Sequence, residues 1–264
     1  MSIRRSRPVD MELTTRYIQN SLKLESAQML RIKECAAKHK IVVILGFSEN
    51  VNDSLYISQA IIDADGEIRV TRKKVKATHM ERTIFGDSFG DCLDSVADTA
   101  YHTYSQREQI HVAAWPPLFG DEDGKGLYSL SRSGRTHSSM TLGSSKKLIK
   151  LLGTAAVAQT YAIESQSFVL HTTALISQPG IDLMKSQGGL MGIPGGGCSA
   201  IFGPDGRKLT VDIPDTEERM LYHHLDLSEV LKSRAFVDVC GHYSRPDMLW
   251  LGVDNEVKRH VINR

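Results

Sequence analysis

Cysteines are the first residues to consider, because a thiol can act as a nucleophile or bind a metal ion. The chain carries four cysteines, at positions 35, 92, 198 and 240 of 264 residues, with no Cys-x-x-Cys pair. This spacing favours neither a zinc knuckle nor a disulfide scaffold, and predicts reduced thiols in the cytoplasm. Cys198 follows a glycine run that would suit a nucleophile exposed on a turn, and Cys92 lies in a predicted loop. We interpret both as ordinary loop or buried cysteines.

Other polar clusters favour structural roles over chemistry. The run Pro-Gly-Gly-Gly at 194–197 lacks the Gly-Lys-Ser/Thr ending of a phosphate-binding loop, so it predicts a tight turn. His223 and His224 are adjacent on a predicted strand, where their side chains point to opposite faces and suit one metal ion poorly. Lys73 and Lys74, considered alone, are typical of the solvated end of a strand. We therefore expect no metal and no cofactor.

The elements that must position these residues follow from hydrophobic periodicity. A helical pattern covers residues 13–40, with Ser26 as an N-cap within it. A mixture of hairpins and buried strands without strict βαβ alternation indicates an α/β fold of mixed sheets covered by helices. The predicted strands are 41–46 (buried on both faces), 55–62 and 68–74 as a hairpin, 110–114, 167–172, 199–202 and 208–213 as a second hairpin, and 220–225; further helices cover 154–166 and begin near Ser228.

Composition excludes several partners. Lys plus Arg number 32 and Asp plus Glu 31, for a net charge of +1, so no global charge attracts nucleic acid or an anionic membrane. The longest apolar runs are far shorter than the ~20 residues of a membrane span. The first eight residues are basic but no apolar core follows them, so we expect no secretory signal and a cytoplasmic location.

The chain shows no shift of composition that would divide it, so we predict a single domain over 1–264. One stretch, 131–153, departs from the rest, with six serines, five Lys or Arg and no acidic residue. Such a block buries little apolar surface, and we predict a disordered insertion. A nucleic-acid-binding loop is the alternative, but interleaved aromatic residues are missing.

Four segments together resemble the carbon–nitrogen hydrolase (nitrilase) superfamily, closest to the fungal cyanide hydratases and aliphatic nitrilases. RKKVKATHMERTIFGD (72–87) is similar to the lysine motif of nitrilases, and EQIHVAAWP (108–116) to the strand that follows their nucleophile. The glycine run with SAIFGPDG (199–206), and DVCGHYSRPD (238–247), resemble the C-terminal part of the fungal group. The resemblance covers nearly the whole chain outside 131–153.

The resemblance implies an αββα sandwich and a hydrolase that acts on a small nitrile or on cyanide. In this family a cysteine thiolate attacks the nitrile carbon to give a thioimidate, a glutamate moves protons, and a lysine stabilises the developing charge. Nitrilases release acid and ammonia, whereas cyanide hydratases release the amide. Lys74 matches the catalytic lysine and Glu81 the second glutamate. The resemblance also implies a homo-oligomer.

Two family positions have no counterpart in the sequence. The chain begins downstream of the Phe-Pro-Glu motif, and Glu49 belongs to a different position, where we expect a surface or loop carboxylate. Asp98-Thr99 leads at once into residues 100–106, which leaves no room for the strand and Cys-Trp-Glu elbow. We therefore expect a sandwich that is incomplete at the N-terminus and lacks the elbow. The alternatives are a catalytically inactive protein or assembly subunit, or the product of a mis-spliced gene model.

Overall fold

A computed structural model describes the chain at residues 11–77, 79–88, 100–117, 153–187 and 192–254. The chain divides into two compact units, the first over residues 1–102 and 251–264 and the second over 103–250. Helices and mixed strands confirm the α/β class. The elements are α1 (Met11–Asn20), α2 (Ala27–His39), β1 (Val43–Val51), β2 (Ser54–Ile62), β3 (Ile68–Lys73), a 3₁₀ helix (His79–Thr83), α3 (Ala100–Ser105), β4 (Ile110–Trp115), α4 (Gly153–Ser165), β5 (Phe168–Thr173), α5 (Gln178–Met184), β6 (Ala200–Phe202) and α6 (Ser228–Phe236).

The first unit contains an antiparallel sheet in the order β1-β2-β3. The predicted β2–β3 hairpin is confirmed, and Gly66 N donates to Asp63 O across its turn at 2.8 Å. Helix α2 packs on one face of the sheet through the buried side chains of Met29 and Ala36, which contact Ile62. The same sheet contains β3, and the lysine motif (72–87) begins at the end of that strand.

The helical pattern at 13–40 forms two helices instead of one, separated at 21–26. Leu22 leaves the helix because its backbone joins the edge of β1, donating to Ser48 O and accepting from Asn50 N, both at 2.9 Å. Ser26 then caps α2 as predicted, since its hydroxyl accepts from Met29 N at 3.3 Å. Hydrophobic periodicity predicted helix on both sides of Leu22, but it cannot show that the backbone of Leu22 pairs with the edge of β1.

The prediction that residues 41–46 form a strand buried on both faces is wrong. Ile41 and Val42 precede the strand and are 48% and 57% exposed, and β1 continues instead to Val51. Among the described residues, β1 pairs along its length only with β2. A strand with one full neighbour and one helix-covered face keeps its apolar residues partly accessible.

The second unit contains a mixed sheet in the order β4-β5-β6, with β4 parallel and β6 antiparallel to β5. Helix α4 packs on one face of it through Ala158 and Ala162, which contact Val169 and Phe202. The strands predicted at 110–114, 167–172 and 199–202 and the helices predicted at 154–166 and near Ser228 are confirmed to within one or two residues. No described helix is long and apolar enough to cross a membrane.

Two predicted strands of this unit are not formed, at 208–213 and 220–225. After the turn at 203–206, Lys208 makes one isolated bridge to Phe202 and Leu209 N donates to Ile201 O at 2.8 Å. The hydroxyl of Thr210 then accepts from Ile201 N, which takes the place of the next backbone pairing. The predicted insertion at 131–153 lies outside the described residues except for Gly153, which opens α4, and Cys92 also lies outside them.

Candidate active site

Lys74 and Glu81 meet directly after β3. The backbone N–H of Lys74 donates to Ile57 O at 2.7 Å, which extends the β2–β3 ladder by one residue and fixes the start of the lysine side chain. Glu81 lies on the 3₁₀ helix that follows, and its Oε2 accepts from Lys74 Nζ at 2.7 Å. Both side chains are 29% exposed. The structure therefore brings together the two residues that the sequence singled out.

This pair combines a fixed positive charge with a carboxylate at hydrogen-bond distance. A charge-assisted bond of this length is stronger than a neutral one and holds both side chains in one geometry. An ammonium group in this position can stabilise negative charge that develops on a substrate, and the carboxylate can accept or donate a proton. Strand ends and the loops after them commonly display such groups on a rigid scaffold.

Lys73 points to the other face of the sheet because successive strand residues alternate. Its Nζ lies 4.0 Å from Glu49 Oε2 and 5.0 Å from the centre of the Tyr56 ring. The alternative of a solvated strand end, which the surrounding motif disfavours, describes neither lysine, since Lys73 lies near Glu49 and Tyr56 and Lys74 bonds to Glu81.

Glu49 is not the surface or loop carboxylate that the sequence predicted. It lies within β1, is 2% exposed, and accepts a hydrogen bond from Ser58 Oγ at 2.6 Å. Lys73 supplies a positive charge nearby. A buried carboxylate is retained when hydrogen bonds and an opposite charge offset its lost hydration. Glu49 thus belongs to the structural face of the sheet, and no apolar alternation in the sequence marks this role.

Cys198 lies at a cleft of about 340 Å³ in the second unit, with Leu175, Ile213 and Arg219 among the lining residues. Its Sγ is 3.4 Å from Thr154 Oγ1, and its backbone N–H donates to Thr173 Oγ1 at 2.6 Å. This places Cys198 in a loop that packs beside the start of α4. Neither Lys74 nor Glu81 lines this cleft.

His171 is a buried residue that the sequence analysis missed. It is 2% exposed on β5, and its Nδ1 lies 3.1 Å from Cys198 O, so Nδ1 carries the proton. Its Nε2 has no hydrogen-bond partner among the described residues. Burial, with a smaller contribution from the charge of Lys208, lowers the pKa of His171 to about 4. The imidazole is therefore neutral at physiological pH.

The remaining candidates have structural surroundings. Gly195 and Gly196 adopt φ of 122° and 88°, which favour glycine. Gly195 exchanges two backbone bonds with Ile176 and Gly197 N donates to Asp215 O at 3.0 Å, so the glycine run bonds to two distant segments and the predicted tight turn is not formed. His223 and His224 lie in an irregular segment, not on a strand. Within the described ranges, no group of three His, Cys, Asp or Glu side chains is placed to hold a metal ion.

Comparison with known proteins identifies the family. The pattern of the carbon–nitrogen hydrolases matches residues 11–119. The chain is 59% identical over 275 residues to an arylacetonitrilase of Aspergillus kawachii, covering 97% of this chain and 78% of the relative. It is 58% identical to an arylacetonitrilase of Aspergillus niger with the same coverage, and 53% identical to one of Aspergillus oryzae.

Solved structures show the same fold at low sequence identity. A carbon–nitrogen hydrolase superfamily protein of Xanthomonas campestris superposes with a TM-score of 0.57 at 12% identity, over 90% of this chain and 81% of its own. A carbon–nitrogen hydrolase of Helicobacter pylori superposes with a TM-score of 0.56 at 16% identity, over 79% and 70%. The nitrilase-like fold class predicted from the sequence is thereby confirmed. The chain belongs to the carbon–nitrogen hydrolase (nitrilase) superfamily.

Proposed function

We propose that this chain has the architecture of a nitrile hydrolase, with arylacetonitriles as its first substrate class. The observation that carries the proposal is the Lys74–Glu81 pair, 2.7 Å apart at the end of β3 within the nitrilase lysine motif. The relatives at 53–59% identity named arylacetonitrilases support this substrate class. Cyanide, with formamide as the product, is the other substrate implied by the motifs.

The proposed reaction adds two waters to a nitrile and releases a carboxylic acid and ammonia. A thiolate attacks the nitrile carbon and the nitrile nitrogen takes up a proton, which gives a thioimidate. The Lys74 ammonium stabilises the charge that develops as water adds to this intermediate, and Glu81 holds that ammonium in place. Release of ammonia leaves a thioester, which the second water hydrolyses. Cyanide hydration would end after one water, at the amide.

We further propose that the chain as printed lacks the nucleophile of this reaction. The segment between Asp98 and Gln106 holds no cysteine, and no Cys-Trp-Glu occurs anywhere in the sequence. The alignment with the Aspergillus kawachii relative supports a missing internal segment. It spans 275 positions, whereas 97% of 264 residues is about 256, so about 19 positions hold no residue of this chain.

The edge of the second sheet also supports a missing segment. Among the described residues β4 pairs only with β5, and Ile110 of β4 is 40% exposed. An apolar strand edge with one neighbour is a site where another strand adds. Sequencing the transcript across codons 98–101 and 131–153 would separate a real protein from a mis-spliced gene model.

Turnover tests the proposal directly. Purified chain is incubated with phenylacetonitrile and with cyanide, and ammonia, acid and amide are measured. A restored variant is assayed beside it, which carries the Phe-Pro-Glu region of a relative ahead of residue 1 and the Cys-Trp-Glu segment of that relative between Thr99 and Ala100, and lacks residues 131–153. We expect negligible turnover by the unmodified chain, because loss of the nucleophile removes the covalent step. We expect acid and ammonia from the restored variant.

Matched variants of the restored protein test the assigned residues. Glu81→Gln and Lys74→Ala are expected to lower turnover by about 10²–10⁴-fold, the range for lost acid–base or electrostatic help. Lys76→Ala removes an exposed lysine of the same motif and should leave turnover unchanged. Turnover by the unmodified chain that Cys198→Ser abolishes would show that a relocated thiol is the nucleophile and would overturn this proposal.

An assembly subunit without catalysis is the second candidate function. Large apolar side chains are exposed in the described part of the second unit, among them Tyr222, Phe236, Met248, Leu249 and Trp250. Exposed apolar surface of this kind marks contact sites on proteins. We propose that the chain forms homo-oligomers through this surface and that it resides in the cytoplasm, where its cysteines stay reduced.

A further inference from the structure

Glu81 lies on a short 3₁₀ helix, and the contacts of that helix decide where the carboxylate points. The loop that carries it leaves the end of β3 and returns along β2. Ser88 N donates to Val75 O and Gly86 N donates to Leu55 O, both at 2.9 Å. These bonds close the base of the loop, but they lie five or more residues from Glu81 on both sides. Other contacts must fix the turn itself.

One residue inside the loop has both its backbone N–H and its backbone carbonyl bound by side chains. Ala77 is 1% exposed, its backbone N–H donates to Asp87 Oδ1 at 2.8 Å, and its carbonyl accepts from Arg82 Nε at 2.7 Å. Buried backbone groups need such partners, because an unpaired one loses the hydration it has in the unfolded chain. We name Ala77, Arg82 and Asp87 the Ala77 clamp.

We propose that Arg82 and Asp87 are positioning residues that hold Glu81 against Lys74 through the Ala77 clamp. Arg82 directly follows Glu81, and its bond to Ala77 ties together the two ends of the turn that carries the carboxylate. Asp87 ties the backbone N–H of the same residue to the returning arm of the loop. Neither side chain contacts Lys74 in the described bonds, so both act through the backbone. This inference rests on the catalytic assignment of Lys74 and Glu81.

A zero-length cross-link measures the Lys74–Glu81 geometry without any need for turnover. A carbodiimide activates a carboxylate, the neighbouring amine displaces the urea, and an amide forms with net loss of one water. The full chain is treated, digested with chymotrypsin, and the yield of the Lys74–Glu81 link is measured by mass spectrometry. The Lys33–Glu67 pair, 3.5 Å apart in the same unit, serves as the internal reference for folding.

The variants are Arg82→Ala, Asp87→Ala and Asp87→Asn, with Arg31→Ala of α2 as the matched loss of an exposed arginine. We expect Arg82→Ala and Asp87→Ala to lower the yield of the Lys74–Glu81 cross-link about fivefold relative to that of the reference pair. A change of this size corresponds to the net contribution of one hydrogen bond to the population of the paired geometry. Asp87→Asn keeps the Oδ1 acceptor and should restore the yield. Arg31→Ala should not change it.

A purely structural role predicts a different pattern. If both alanine variants melt earlier but keep the wild-type ratio of the two cross-links, Arg82 and Asp87 do not position Glu81 and the inference is wrong. Because the cross-link reports geometry alone, absence of nitrile turnover in the restored variant would overturn the proposed function and leave the clamp result intact.

Discussion

His171 shows how one residue can make the stability of the second unit depend on pH. Its ring is buried on β5, Nδ1 donates to Cys198 O, and Nε2 faces no hydrogen-bond partner in the described part of the chain. Burial lowers the pKa of the imidazole to about 4, against 6.5 for the unfolded chain. The folded protein therefore binds fewer protons than the unfolded chain between these values.

We predict that this histidine destabilises the folded chain as the pH falls from about 6.5 to 4. Above pH 6.5 the imidazole is neutral in both the folded and the unfolded protein, so His171 causes no loss of stability. Below this pH the imidazole of the unfolded chain takes up a proton first, which favours the unfolded state. The full difference is about 3 kcal/mol, from about 1.4 kcal/mol per pKa unit. Urea unfolding at pH 7.5 and pH 4.5 measures it in the wild type and in His171→Asn, which keeps a donor for Cys198 O.

Carboxylates also titrate in this range, so the informative quantity is the difference between the two proteins. The stability of His171→Asn should fall less than that of the wild type between pH 7.5 and 4.5. Equal losses in both proteins would show that His171 takes up its proton in the folded state as easily as in the unfolded chain.

Glu49 and His171 also show why single residues resist prediction. Each is a polar residue beside apolar ones, and the local sequence does not show which side chain will lie opposite it in the fold. Glu49 can be buried because Ser58 of β2 donates a hydrogen bond to it and Lys73, at the end of β3, brings a positive charge to 4.0 Å. Lys74 and Glu81 were identified because a specific motif surrounds them, whereas their bonds to each other and the Ala77 clamp become visible only in the structure.

At the scale of elements, the sequence correctly predicted those helices and hairpins that depend on residues close together in the chain. The β2–β3 hairpin follows from alternation on both sides of an Asp-Ala-Asp-Gly turn, and α2 follows from its period and its serine cap. The strands expected at 208–213 and 220–225 fail because a strand requires a neighbour. Thr210 diverts the pairing of Ile201, and Met220 and Tyr222 stay exposed. Pairing partners are distant in sequence and have no signature in a short window.

The hairpin turn provides a prediction at this scale. Gly66 adopts φ of +83°, and a Cβ there would lie 2.7 Å from the carbonyl oxygen of Lys33 in α2. Gly66→Ala should therefore destabilise the first unit by about 1–3 kcal/mol, since the left-handed backbone is strained and the helix must shift. Chemical denaturation of the variant measures the loss.

Gly46→Ala is the matched control, because Gly46 is exposed on β1 and does not have a positive φ. That substitution should be neutral or slightly stabilising, as alanine reduces the freedom of the unfolded chain. A Gly66→Ala variant as stable as Gly46→Ala would mean that α2 does not press on the turn.

For the whole molecule, exposed apolar surface and a net charge near zero both favour association between copies of the chain. The net charge is +1, so little electrostatic repulsion keeps copies apart. Met248, Leu249 and Trp250 are 73%, 82% and 78% exposed. Consecutive apolar residues with this exposure are unusual on a protein that stays monomeric. They place the proposed contact between copies near the end of the described chain.

We predict that the double substitution Leu249→Glu, Trp250→Glu weakens self-association. A tryptophan in an interface commonly contributes about 2 kcal/mol or more, so the dissociation constant should rise at least about thirtyfold. Sedimentation velocity over a range of protein concentrations measures the change. Val211→Glu, at another exposed apolar residue of the same unit, is the control and should leave association unchanged. Wild-type protein that sediments as a monomer at every concentration, or equal effects of both changes, would show that residues 248–250 are not the contact between copies.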